Sequence, residues 1–372
     1  MKVVSIVGAR PQFVKAFAVS RELRTLHHEV LVHTGQHYDH QMSEVFFEDL
    51  GIPKPDLNLE VGSASHGAQT AEMLAKIERV LIQEKPDWVL AYGDTNSTLA
   101  GALAAAKLNL PLAHVEAGLR SFNRSMPEEI NRLVTDRLAT LLLCPSQTAV
   151  ENLEREGIGN GVYLVGDVMA DALNFAANLA PLRSDILTRL GLEEKRYVVV
   201  TVHRAENTDN RSRLGNIVQG ILAIDEPVVF PLHPRTRKAL SEGGYFARLD
   251  AAGKVHLIDP LGYLDMVRLE QAARLILTDS GGIQKEAYWL SVPCLTLRAE
   301  TEWVETVAAG WNVLVGVDPE VILQRVRSFS PPAQRPQLYG DGTAAQRCVA
   351  LLSGDHVIIH PGKSLHKSTV FE

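Results

Sequence analysis

Cysteine is scarce in this chain of 372 residues: Cys144, Cys294 and Cys348 are the only three, and no C-x-x-C pattern joins them. That spacing suggests neither a disulfide framework nor a zinc site, and each cysteine fits a small core residue. Apolar runs of membrane-spanning length are also missing. Internal repeats and low-complexity tracts are absent as well. Charge of one sign is not in great excess, the net value being −7. This argues against general binding to nucleic acid and favours solubility. The first turn, Gly8-Ala-Arg-Pro11, lacks the G-x-G-x-x-G of nicotinamide sites, and Pro361-Gly-Lys-Ser364 lacks the spacing of a P-loop. Met1 leads almost directly into Val3-Val-Ser-Ile-Val7, so no signal peptide and a cytoplasmic location are expected.

What is present is a rhythm. The length exceeds the size at which one core keeps growing, and the 46% hydrophobic and 22% charged fractions are ordinary for a globular protein. Short β-branched runs alternate with helical patterns: Val3–Val7, Val30–His33, Trp88–Tyr92, Leu112–Val115, Leu141–Cys144 and Val162–Val165. After a break come Tyr197–Val202, Val228–Pro231, Val255–Ile258, Leu275–Thr278 and Pro293–Leu297. Strand–helix alternation of this kind predicts parallel sheets built from βαβ units. The expected fold is α/β, with two doubly wound Rossmann-like domains, residues 1–168 and 169–350, and a loosely held tail over 351–372.

Ligands of open α/β sheets bind outside the carboxyl ends of the strands, and the unusual polar residues fall there. Leu275-Ile-Leu-Thr-Asp-Ser-Gly-Gly-Ile-Gln-Lys-Glu286 reads as strand, glycine turn and helix, which aims backbone N–H groups at one point and suits an anion. Ser280 can add a hydroxyl, Gly281 and Gly282 allow close approach, and Glu286 lies one turn into the helix. The alternative is a plain turn with Asp279 or Ser280 as N-cap. Arg10 and Lys15 suit a diphosphate, although Lys15 also fits a solvated helix face. Asp94 is either a site carboxylate or the N-cap of a helix over 98–108. Glu116 sits at a strand tip. Glu128 fits either the site or a capping box with Ser125, and Glu128–Arg132 has i,i+4 spacing. His203 ends an apolar strand, as a ligand-facing or a satisfied histidine. His33, His37 and His40 lie in a loop-like run with no helix to align their rings, so no metal site is expected. With the two sets of strand ends facing one another, all these groups would share one crevice.

The motifs Gly8-Ala-Arg-Pro11, Gln36-His37, Gly93-Asp-Thr95, His114-Val-Glu-Ala-Gly-Leu-Arg120, Pro127-Glu-Glu-Ile-Asn-Arg132, His203-Arg204, Asp279-Ser-Gly-Gly-Ile-Gln284 with Glu286, and Tyr339-Gly-Asp-Gly342 resemble the non-hydrolysing UDP-N-acetylglucosamine 2-epimerases. The resemblance covers residues 1–350 and implies the two-domain glycosyltransferase-B architecture. It implies that Arg10, His203, Ser280, Gly281 and Gly282 hold a diphosphate, with Lys15 nearby and Glu286 on the ribose. Asp94, Glu116 and Glu128 would surround the sugar, and with His203 they form the expected catalytic set. The implied reaction inverts C2 of a UDP-sugar by eliminating UDP to a 2-acetamidoglucal and adding it back, without nicotinamide or metal. A cytoplasmic homodimer serving polysaccharide biosynthesis is the matching expectation.

The departures matter too. Met266 stands where a phenylalanine usually packs on uracil, Leu261 where a glutamine is common, Ala205 for a frequent arginine, and Trp303 for a substrate-reaching arginine. Around Ser65-His-Gly-Ala68 there is no Arg-Gln pair of the kind that holds an activating second UDP-sugar. Arg-Ala-Glu-Asn and Thr-Glu-Trp-Val-Glu are similar to a branch acting on UDP-2,3-diacetamido-2,3-dideoxyglucuronate. Its C6 carboxylate would need Arg120, Arg204 or Arg235. A glycosyltransferase would share the architecture and UDP site without needing the acidic cluster.

Overall fold

The computed structural model describes residues 1–36 and 54–354. Two compact units are present, one from residues 1–36, 54–171 and 339–354, the other from residues 172–338. In the first unit, β1 (Lys2–Val7), β2 (His28–His33), β3 (Leu57–Asn58), β4 (Trp88–Tyr92), β5 (Leu112–Val115), β6 (Leu141–Cys144) and β7 (Val162–Leu164) form one sheet in the order β3-β2-β1-β4-β5-β6-β7. Every pairing is parallel, with Val3 opposite both Glu29 and Trp88. The order reverses between β1 and β4, which is where open sheets of this class take ligands.

Helices α1 (Arg10–Leu26), α2 (His66–Glu84), α3 (Asn96–Lys107), α4 (Pro127–Leu138) and α5 (Gln147–Arg155) cover this sheet. On α2, Met73, Ile77 and Leu81 recur every four residues and are fully buried. They share a core with Ala100, Ala104 and Ala105 of α3. Small residues on α3 let the two helices come close, and each large side chain contributes roughly 1.5–3 kcal/mol by burial.

The second unit holds β8 (Val198–Thr201), β9 (Val228–Pro231), β10 (Val255–Ile258), β11 (Leu275–Thr278), β12 (Cys294–Thr296) and β13 (Asn312–Leu314), parallel in the order β10-β9-β8-β11-β12-β13. Alternate residues serve opposite faces. Val198, Val200, Phe230 and Leu277 join one core, whereas Val199, Val229 and Ile276 join the other. Both faces are covered, so these strands read as unbroken apolar runs. Between strands lie α6 (Val168–Arg183), which begins in the first unit, then α7 (Ile186–Leu190), α8 (Ala205–Thr208), α9 (Arg211–Ala223), α10 (Pro234–Glu242), α11 (Phe246–Asp250), α12 (Tyr263–Ala272), α13 (Gly281–Trp289) and α14 (Val304–Ala308), and α15 (Pro319–Ser328) follows β13. No helix among the described residues is long and apolar enough to cross a membrane.

One boundary differs from expectation. Residues 339–350, placed by the sequence with the second domain, belong to the first unit. The Tyr339 carbonyl accepts from the Asp167 N–H at 2.9 Å, and Arg347 donates to the Val165 carbonyl at 3.0 Å. Helix α16 (Ala344–Leu352) packs on α1. Its apolar face carries no mark of which sheet it will cover, so alternation alone could not place it. Residues 351 and 352, expected to open the tail, complete this helix, and residues from 355 onward lie outside the described residues.

The docking contact also buries Asp171. Its Oδ2 accepts from the Ala345 N–H at 2.7 Å, yet burial, helped by Asp167 and Asp341, pushes its pKa up to about 6. A raised carboxyl favours the folded chain below the unfolded pKa, and this advantage is lost as pH rises through about 6. Asp171→Asn keeps an acceptor for Ala345 and removes the charge. It should stabilise the folded chain at pH 8 by on the order of 1–2 kcal/mol after solvent screening, raising Tm there, and leave Tm unchanged at pH 4. Thermal melts at the two pH values check this.

Candidate active site

In a parallel sheet all strands end at the same edge, so the turns leaving β1, β4 and β5 meet. Gln12 joins two of them. Its Oε1 accepts from the N–H groups of Gly8 (2.8 Å) and Ala9 (3.0 Å), while Nε2 donates to the Tyr92 carbonyl at 2.6 Å. His114, buried at the end of β5, places Nε2 2.7 Å from the Gly93 carbonyl oxygen and Nδ1 2.6 Å from Asp136. Asp136 also accepts from Arg120 and from the Gly118 N–H. Burial pushes the Asp136 carboxyl up, but His114 and Arg120 hold it below the usual range. The turns are therefore held by buried polar groups rather than by apolar packing alone.

Against this frame Lys15 of α1 pairs with Glu116, the two side chains being only 12% and 14% exposed. Burial disfavours charge on Lys15, yet Glu116, then Asp94 and Asp167, outweigh it and hold the ammonium above the usual lysine range. The solvated-face reading of Lys15 is thus excluded. Glu116 has φ 73°, in the left-handed region. For a residue with a Cβ that costs about 1–2 kcal/mol, a strain of the kind concentrated at functional sites.

Asp94 pairs with Arg132, whose other arm reaches Glu129 at 2.9 Å. It is not an N-cap: Thr95 caps α3. The capping-box reading of Glu128 is corrected as well. Met126 occupies the N-cap of α4 without a side-chain bond, and Arg132 turns to Asp94 and Glu129 rather than to Glu128. Glu128 stays half-buried. Glu129, which the sequence did not single out, accepts from Ser121 and Phe122 N–H groups. Arg10 opens α1, and its side chain lies outside the description. His33 ends β2, its ring edge-on to Phe13 at 4.9 Å, and burial lowers its pKa. His37 and His40 lie outside the described residues, and no group of three or more His, Cys, Asp or Glu among those described could hold a metal ion.

In the second unit the turns after β8 and β11 are joined by Asp279, fully buried. Its carboxylate accepts from the N–H of His203 (3.0 Å), the N–H of Arg204 (3.1 Å) and Asn207 Nδ2 (3.0 Å). Asp279 thus acts as a brace, while Ser280 caps α13. The His203 side chain is 42% exposed and its ring lies 5.9 Å from that of His233. Burial lowers the His203 pKa; Asp279 opposes this, and His233, Arg204 and Arg235 reinforce it.

Gly281 and Gly282 differ in why they are glycine. A Cβ on Gly281 would overlap Glu302 Oε1, whereas one on Gly282 would meet only Ser280 Oγ at 3.8 Å. Gly282 therefore leaves open space above the helix terminus. Glu302 bridges Arg204 (3.1 Å) and Arg298 (2.7 Å). Trp303 faces Lys285, whose Nζ is 4.3 Å from the indole centroid, so this tryptophan contacts α13 itself. Glu286 is half-buried, and Met266 on α12 packs partly into the core that contains Ile283.

The structure thus gathers Lys15, Asp94 and Glu116 in one unit, and His203, Ser280 and Gly281 in the other. Glu129 and Glu302 escaped the sequence reading, and Asp279 was read there only as a possible N-cap, a place Ser280 takes instead, because their value lies in partners distant along the chain. An acid between a strand and a Ser-Gly-Gly turn was the one signal available for Asp279.

Known proteins resemble this chain over most of its length. The family model described as UDP-N-acetylglucosamine 2-epimerase matches residues 21–353. A UDP-N-acetylglucosamine 2-epimerase homolog of Methanococcus maripaludis is 52% identical over 95% of this chain and 99% of its own. The UDP-2,3-diacetamido-2,3-dideoxy-D-glucuronate 2-epimerase of Pseudomonas aeruginosa is 50% identical with the same coverage. A crystal structure of the Methanocaldococcus jannaschii UDP-GlcNAc 2-epimerase in complex with UDP-GlcNAc and UDP is 44% identical, covers 95% of this chain and 100% of its own, and superposes with a TM-score of 0.80. Two doubly wound parallel sheets of the glycosyltransferase-B class, an acidic cluster at the strand ends of one and a glycine-opened helix in the other lead to one conclusion: the chain belongs to the UDP-N-acetylglucosamine 2-epimerase family, whose members are isomerases.

Proposed function

We propose that this protein inverts C2 of UDP-N-acetylglucosamine to give UDP-N-acetylmannosamine. The observation that carries this reading is Glu116, held in a strained backbone conformation against Lys15, with Asp94 beside them. The C2 proton is not α to a carbonyl, so its removal is slow unless the C1–O bond to UDP breaks as well. Elimination then gives 2-acetamidoglucal and UDP; re-addition of UDP with protonation on the other face of C2 completes the inversion. Carboxylates Asp94, Glu116 and Glu128 serve the two faces.

One acid or base supplies about 10²–10⁴-fold, or about 3–5 kcal/mol. Enzymes lower barriers by roughly 8–23 kcal/mol, so stabilisation of the departing diphosphate must contribute much of the rest. Arg10, His203 and the α13 terminus at Ser280, Gly281 and Gly282 are assigned that task, with Lys15 alongside, Glu286 on the ribose and Met266 against the uracil. His203 gains from this arrangement: a diphosphate beside it favours its protonated form, reversing the push of Arg204 and Arg235. Work as a cytoplasmic homodimer in polysaccharide synthesis rests on the family likeness.

A second substrate, the diacetamido uronate, is favoured by the Pseudomonas aeruginosa relative and by Arg235. This arginine is exposed next to His203, and its guanidinium has no partner among the described residues. Arg120 is unsuited to a C6 carboxylate, being buried against Glu156 and Asp136, and Arg204 is paired with Glu302.

Proton NMR in D₂O with each UDP-sugar alone tests the reading. Epimer should form without an acceptor and carry deuterium at C2. Full retention of the original hydrogen would overturn elimination, and turnover only with an acceptor would make the protein a glycosyltransferase.

A further inference from the structure

Glu270 lies in the last turn of α12, fully buried. Among the described residues no N–H or O–H donor meets either of its carboxyl oxygens. An ionised carboxylate left so would pay a heavy desolvation cost. The polar group against it is another carboxyl, that of Glu286 on the neighbouring helix α13. Around the pair run Leu269, Ala272, Ala287 and Cys294 of one apolar core. Two carboxyls in hydrogen-bond contact in such a setting cannot both ionise; one keeps its proton and donates it to the other. Glu270 is the inner partner and Glu286 the half-exposed one, so the proton belongs inside and the charge outside.

We propose that Glu270 is a positioning residue for nucleotide binding: kept protonated, it donates a hydrogen bond to the Glu286 carboxylate and fixes it for the ribose hydroxyls. The proposal rests on the reading of Glu286 given above. It holds the Glu286 carboxylate from behind in one orientation towards the ribose, at a net charge of minus one for the pair. Burial first, then Glu286, raises the Glu270 pKa well above the usual carboxylate value. The other titratable groups near Glu270 do not compensate it. Cys294 and Tyr197 are themselves pushed up by burial, and the Tyr197 hydroxyl donates to the Leu269 carbonyl at 2.6 Å. On α12 itself, Arg268 turns to Glu194, and Asp265 to Ser184 and Arg189.

Equilibrium UDP binding by the full chain at pH 7 tests this with Glu270→Gln, Glu270→Leu, Glu270→Met and Glu286→Ala. Glutamine retains an N–H donor and should keep the UDP Kd within about twofold of wild type. Leucine and methionine remove the donor at similar volume and should weaken UDP five- to twentyfold. Both should melt no lower than wild type at pH 8, because a buried carboxyl has gone. That split, weaker binding with equal or greater stability and rescue by glutamine, is not expected of a packing residue. UDP affinity unchanged in the folded apolar variants, with Glu286→Ala weakened about tenfold, would overturn the role of Glu270. UDP affinity unchanged in Glu286→Ala would instead overturn the ribose reading on which it rests.

Discussion

Glu116→Gln should lose at least 10²-fold in kcat while its UDP affinity stays within a few-fold of wild type. The amide keeps the shape of the side chain and its place beside Lys15, but it can neither take nor return a proton. Two features raise the expected loss above that for an ordinary surface acid. The side chain is only 14% exposed, so bulk water cannot readily substitute for it. Its backbone is held in the left-handed region, which fixes where the carboxylate points. The same site yields a companion result: Glu116→Gly relieves the backbone strain of about 1–2 kcal/mol but leaves the buried Lys15 ammonium without its carboxylate at a larger cost, so it should be inactive and melt below wild type. Steady-state kinetics, UDP titration and thermal melts on the two variants separate the effects. Near-wild-type kcat in Glu116→Gln would remove this residue from the chemistry.

Asp279→Ala should be the most damaging change in the second unit. Three donors converge on that carboxylate, the N–H groups of His203 and Arg204 and the amide of Asn207. All would be left near or below the surface without an acceptor. Each unsatisfied buried donor costs about 1–3 kcal/mol, so a loss of roughly 3–5 kcal/mol is expected even with partial rehydration. Because the brace joins the β8 and β11 turns, UDP affinity should fall at least tenfold in whatever fraction still folds. Asp279→Asn keeps one acceptor oxygen and should lie between the two. Urea unfolding and UDP binding check both, and a melt indistinguishable from wild type would show that the brace is dispensable.

Much of the architecture was legible because parallel strands buried on both faces write themselves as short apolar runs. β3, at two residues, has no period to detect, and β13 is a three-residue edge strand after Gly310 and Trp311. Neither was expected. At the site, residue types at strand ends were visible, but their partners were not. Thr95 and not Asp94 caps α3, because the cap is decided by where the first helical turn begins and not by which neighbour is the better acceptor. Lys15 reads as surface on a helical wheel until Glu116, about a hundred residues later, closes over it. Nothing in the sequence around Glu270 sets it apart. Its meaning depends wholly on a second acid sixteen positions on, on another helix. Pairings of that kind come from tertiary structure, which local patterns do not encode.

The return of residues 339–354 to the first unit has a consequence for the order in which the protein is made. The second unit is one uninterrupted stretch, 172–338, and all of its strands have been synthesised before residue 339 appears. The first unit begins earlier but ends later: the surface of α1 that receives α16, and the carboxyl of Asp171 that meets Ala345, wait for the end of the chain. Domains generally fold as units during synthesis, the N-terminal one first. Here the N-terminal sheet can form first, but its last helix arrives last, so the first unit is sealed only after the second is complete.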